Sequence, residues 1–185
     1  GYAQQVFGQV EGAIGALAQF VVSLAAYPGH KSLLYVSDGV PLVAGQEVFD
    51  HAVDLCDGSA INRGLVPASS VLNEFPPAHK FSTSARAELL QFNTHKRWTA
   101  LAAAANSRRV TLNTLQASGI EGSRTASVDG ERTSFATESM GRFNEQETLV
   151  TLAEETGGEA ILNTNDVTGA VSDLLEAEAA RYILA

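Results

Sequence analysis

Asp38 is the residue best placed to do chemistry. With Gly39 it closes the short apolar run Leu33-Leu34-Tyr35-Val36-Ser37. Ligands of open α/β sheets bind outside the carboxyl ends of strands, near a switch in strand order, so a carboxylate there faces the usual ligand crevice. It is a candidate metal ligand for Mg²⁺ or Mn²⁺. Magnesium in particular takes near-octahedral oxygen ligation with several waters, which one carboxylate and nearby hydroxyls supply in part. Asp-Gly is equally an ordinary strand-ending turn, and both readings stand at this point. His51, Asp54 and Asp57 recur every three residues and share one helical face, but a metal needs further ligands and a dry shell, so a solvated face is the reading. Cys56 lies five residues from His51. A helix turns about 500° over five residues, which points the two side chains apart. A buried thiol is the reading for Cys56. The sequence has no Gly-x-Ser-x-Gly elbow, phosphate-cradling glycine loop or His-Glu-x-x-His pair.

Composition narrows the class. The 185 residues include 45% apolar and 18% charged side chains, which is a globular balance sized for a single domain spanning 1–185. One cysteine excludes an intrachain disulfide and a cysteine-cluster zinc site. A net charge of −9 argues against nucleic acid as partner, since phosphate neutralisation needs clustered Lys and Arg. Charge is unevenly placed. Residues 79–109 carry Lys80, Arg86, Lys96, Arg97, Arg108 and Arg109 against Glu88, whereas nine acids face Arg181 from Glu145 onward. The asymmetry would steer an acidic partner toward the helix near Trp98, be compensated within the fold or between subunits, or simply be a solvated face.

Local patterns supply the elements that must position Asp38. Val6, Val10, Ile14, Leu17, Val21 and Leu24 step at helical spacing and form one stripe. Ala13, Ala16, Ala18, Phe20 and Ala25 widen it, predicting a largely buried helix ended by Pro28-Gly29. The charge-free run Gly12 to Gly29 is therefore read as a helix of the domain and not as a membrane span or signal peptide. After Leu33–Ser37, a helix is expected over 46–56 and an irregular excursion over 57–83. A helix is then expected from Ser84 through Ala105, a β-branched strand Arg109–Leu115, and a second polar excursion over 118–145. Gln146 to Thr156 reads as a helix stopped by Gly157-Gly158. Glu159–Asn163 reads as a third strand, and Asp166 caps a last helix running toward Tyr182. Helices alternating with short apolar strands predict an α/β fold with a mostly parallel, Rossmann-like sheet. Three strands make a thin sheet, so the chain is expected to start inside a domain.

Several phrases carry a resemblance. Tyr27-Pro28-Gly29-His30-Lys31-Ser32-Leu33-Leu34-Tyr35-Val36-Ser37-Asp38-Gly39 resembles the segment "PGRK, apolar strand, S-[DE]-G" of von Willebrand factor A-like domains. Leu152 to Ala160 and Asn163-Thr164-Asn165-Asp166 are similar to the "LAEETGG-x-A" and "NTND" signatures of the related domains in acidobacterial secreted proteins. Leu101 to Leu115 is similar to the helix and strand before them. The resemblance implies a doubly wound α/β fold with a metal-ion-dependent adhesion site at the carboxyl ends of the strands. Such a site takes Asp-x-Ser-x-Ser after the first strand, a Thr from a middle loop and the Asp of a [TS]-D-G turn. Asp38 supplies the last. The first strand and its motif would belong upstream of Gly1; Asp57-Gly58-Ser59-Ala60-Ile61 lacks the second Ser and follows a helix, so it is not that element.

The expected function is a non-enzymatic adhesion or interaction module, secreted or in the cell envelope by resemblance, that binds a protein or glycan through the upper rim of the sheet. The alternatives are an enzyme using the same crevice around Asp38, and a structural piece that forms a homodimer through an uncovered sheet edge.

Overall fold

The computed structural model describes residues 1–49, 87–118 and 135–179. Helix α1 (Tyr2–Leu24) leads into strand β1 (Lys31–Ser37). Later come α2 (His95–Ser107), β2 (Val110–Gln116), α3 (Phe135–Thr156), β3 (Ala160–Ile161) and α4 (Val167–Ala179). The strands form one parallel sheet in the order β1-β2-β3. Lys31 through Ser37 pair residue by residue with Val110 through Gln116, and Thr114 and Leu115 pair with Ala160 and Ile161. Helices flank this small sheet, and the α/β expectation holds. The strand order is sequential, so no reversal occurs among the described residues.

Side-chain alternation along β2 explains the layering. Val110 and Leu112 point to the side where Val10, Leu17 and Val21 of α1, Trp98 and Leu101 of α2 and Leu152 of α3 build the main core. Leu115 points the other way, toward Ile161, Leu34 and Leu174 of α4. Polar groups of the buried central strand are matched. Asn113 is 1% exposed; its Oδ1 accepts from Glu159 N at 2.8 Å and its Nδ2 donates to Ser32 Oγ at 2.7 Å. The Leu112 N–H donates to Thr156 Oγ1 at 2.9 Å, tying the end of α3 to the sheet. Left unmatched, each such buried group would cost about 1–3 kcal/mol.

Several expectations need correction. The six-residue stripe of α1 does face the core, with Val10, Leu17 and Val21 buried and Val6, Ile14 and Leu24 packed beside them. The helix as a whole is not largely buried: Phe20 is 48% and Val22 53% exposed. By length and composition α1 is apolar enough to cross a membrane, with 17% of its most apolar window buried. The helix expected from Ser84 to Ala105 is broken. Residues 87–89 are helical and Leu90–Phe92 form a 3₁₀ turn. Asn93 then bridges Val43, and α2 starts at His95. The break frees the N–H and hydroxyl of Thr94 to donate to Leu42 O, both at 2.9 Å.

The excursion over 118–145 is cut short, since α3 begins at Phe135. Over 141–145 the buried position is Asn144, a polar residue, so no apolar period marks that stretch. The third strand contracts from 159–163 to Ala160–Ile161, because Asn163 adopts a left-handed conformation, φ 53°, and turns the chain away. Arg109 is left-handed too, φ 56°, and closes α2 instead of opening β2. Gly157, φ 70°, ends α3 as expected, and Asp166 Oδ1 accepts from Gly169 N at 2.9 Å at the start of α4. The excursion over 57–83 and the remainder of the 46–56 helix beyond 49 lie outside the described residues, as do His51, Asp54, Cys56 and Asp57.

Candidate functional site

The carboxyl ends of the three strands form a rim with two halves. At the β1 half, Asp38 is exposed directly after Ser37. Gly39 makes the turn possible. Its φ is 111°, and a Cβ there would sit 2.8 Å from Glu145 Cβ and 2.9 Å from Glu145 O, so the backbone lies flush on α3. The Gly39 N–H donates back to Ser37 Oγ at 3.2 Å.

The segment that follows is fastened residue by residue. Thr148 Oγ1 donates to Val40 O at 2.7 Å. Leu42 N donates to Asn144 O at 3.2 Å. The Asn144 carboxamide pairs with Val43 as a neighbouring strand would: its Oδ1 accepts from Val43 N at 2.9 Å and its Nδ2 donates to Val43 O at 3.0 Å. Ala44 N donates to Phe92 O at 3.1 Å, and Gly45 packs on Ala3, where a Cβ would come within 2.7 Å. The loop after Asp38 is thus held against α3, the Leu90–Phe92 turn and the start of α1 together. Beside it Tyr2 OH donates to Glu47 Oε1 at 2.9 Å. That hydrogen bond, then partial burial, then the charges of Glu47 and Glu145 push the Tyr2 phenol above its ordinary value of 10.0.

The other half sits at the ends of β2 and β3. Gln116, 5% exposed, takes two donors on Oε1: Gln146 Nε2 at 3.0 Å and Asn163 N at 3.1 Å. Gln146 Nε2 also donates to Asn163 Oδ1 at 3.1 Å. The Ser37 carbonyl accepts from Ala117 N at 3.0 Å and joins the two halves.

Among the described residues no group of three His, Cys, Asp or Glu side chains comes together in a way that holds a metal ion. Asp38 offers one carboxylate, and the Ser37 hydroxyl already accepts from Gly39 N, so these residues alone do not fit a metal centre. Trp98, singled out as a landmark for the basic stretch, is fully buried, with its indole N–H donating to Thr94 Oγ1 at 3.1 Å. Arg97 pairs with Glu11 of α1, not with the acidic C-terminal region. Local pattern reading missed Gln116 and Gln146. A polar residue ending a wholly buried strand was the available signal for the first. No protein-family model, curated protein or solved structure matches the chain.

Proposed function

We propose that this chain is a non-enzymatic binding module of the von Willebrand A type, acting outside the cytoplasm, that takes a protein or glycan partner on the rim around Asp38. In this reading β1, β2 and β3 are consecutive strands of a doubly wound sheet. The observation that carries it is Asp38 itself: an exposed carboxylate at the end of a parallel strand, on a loop fastened by Asn144, Thr148 and Gly39. A site meant to meet a partner needs that combination of an exposed group and a rigid support. Packing of the α1 stripe into the main core supports reading α1 as a helix of the domain. A Mg²⁺ or Mn²⁺ ion at Asp38 would need more oxygen ligands than Asp38 and Ser37 supply.

The test is a Mn²⁺ titration of the chain and of Asp38→Ala, followed by paramagnetic broadening of amide signals near Ser37 and Gly39. Broadening in the parent that is lost in the variant, without turnover of model esters or phosphates, supports the module. Turnover that Asp38→Ala abolishes would establish the enzyme alternative instead.

A second reading rests on β1. It pairs with β2 on one side only among the described residues, Val36 is 52% exposed, and no proline or charge interrupts Ser32 to Ser37. Edges of this kind invite a further strand. A second copy paired there would give a dimer by size-exclusion chromatography, and a monomer at high concentration excludes it.

A further inference from the structure

We infer that the β2–β3 half of the rim is a subsite for sugar hydroxyls, which makes the partner of the proposed module a glycan; the inference rests on the rim reading above. The hydrogen-bond pattern defines the chemistry. The Asn163 N–H is a donor by necessity, so the Gln116 atom it meets at 3.1 Å is Oε1. The Gln146 atom 3.0 Å from that oxygen is then Nε2, and the Asn163 atom 3.1 Å from Nε2 is Oδ1. Three groups are left over: the Gln116 NH₂, the Asn163 NH₂ and the Gln146 carbonyl, none with a partner among the described residues. Gln116 is 5% exposed, and among the described residues its NH₂ has no hydrogen-bond partner.

Two donors and one acceptor select the ligand. A carboxylate only accepts and would meet the Gln146 carbonyl unfavourably; an ammonium only donates and would meet two NH₂ groups. A hydroxyl both donates and accepts, and vicinal hydroxyls fit such a mixed set. Phe143 adds an apolar platform. It is 69% exposed and three residues before Gln146 on α3, which makes the two side chains neighbours, with Cβ atoms about 5–6 Å apart. A flat exposed ring beside carboxamides matches the alternating apolar faces and polar edges of a pyranose. A peptide backbone also donates and accepts, and strand addition is one way it binds. Here the Asn163 N–H just past β3 is already spent on Gln116.

The experiment is a titration of the isotope-labelled chain with cellohexaose, maltohexaose, xylohexaose and chitohexaose, reading the side-chain NH₂ signals of Gln116, Gln146 and Asn163. At least one oligosaccharide should shift these signals saturably, and Phe143→Ala should weaken that binding about tenfold with an unchanged melting temperature. Silence with all four sugars overturns the inference; if Mn²⁺ still broadens the Asp38 region, the rim reading survives that failure, and if it does not, both fall. Equal affinity in Phe143→Ala, or shifts produced only by a neutral Ala-Ser peptide, likewise overturns the glycan assignment.

Discussion

The Asn144 carboxamide, on α3, holds both the N–H and the carbonyl of Val43, at 2.9 and 3.0 Å, across 101 residues of sequence. One side chain thereby substitutes for a neighbouring strand at the loop that presents Asp38. Asn144→Ala would strand two partly buried backbone groups, and stability should fall by about 1–3 kcal/mol. Asn144→Asp should be no better, because the carboxylate keeps the acceptor but faces the Val43 carbonyl. Urea unfolding checks this through a lower midpoint at unchanged slope.

Gly157 and Gly158 are adjacent yet should respond differently. Gly157 needs a left-handed backbone, so Gly157→Ala should cost about 1 kcal/mol. At Gly158 the obstacle is space: a Cβ would run into the carbonyl of Leu112 in the central strand, and a backbone atom there cannot step aside. Gly158→Ala should therefore cost more than about 3 kcal/mol or prevent folding. Paired thermal melts of the two variants make the comparison.

Arg97 both pairs with Glu11 and lies over the Phe7 ring, 5.5 Å from its centroid, while Phe7 meets Phe92 edge-on at 5.9 Å. Among the described residues Glu11 Oε1 is buried without a partner, so its carboxylate depends on the guanidinium. Half the Arg97 side chain is exposed, which screens the pair. Arg97→Ala should cost about 1–2 kcal/mol, and the double variant Arg97→Ala with Glu11→Gln should recover part of that loss. A double-mutant cycle by chemical denaturation measures it.

The raised Tyr2 phenol makes stability depend on alkaline pH. The folded state holds the phenolic proton more tightly than the unfolded chain, because the Glu47 hydrogen bond needs it. This contribution is complete below the ordinary phenol value of 10.0 and is lost as pH rises through the folded value. Tyr2→Phe should flatten the fall in stability above that value, and an ultraviolet difference titration should show one phenol titrating late. A Tyr2 that titrates with the free amino acid would refute the assignment.

Local pattern was enough for much of this molecule. Helical spacing from Val6 to Leu24, the apolar run before Asp38, the β-branched run from Val110 and the Gly157-Gly158 stop each depend on neighbours a few residues away, so they are written in the chain itself. Those same features imply a parallel α/β sheet with Asp38 at a strand's carboxyl end. Only the tertiary structure decided where α3 begins, why α2 starts at His95, and which polar groups share the rim. Asn144, Thr148 and Gln116 are polar residues on inward positions, and apolar periodicity is blind to them. Their partners Val43, Val40 and Asn163 lie 101, 108 and 47 residues away. Burial makes such distant hydrogen bonds obligatory, and only the folded chain brings the partners within reach.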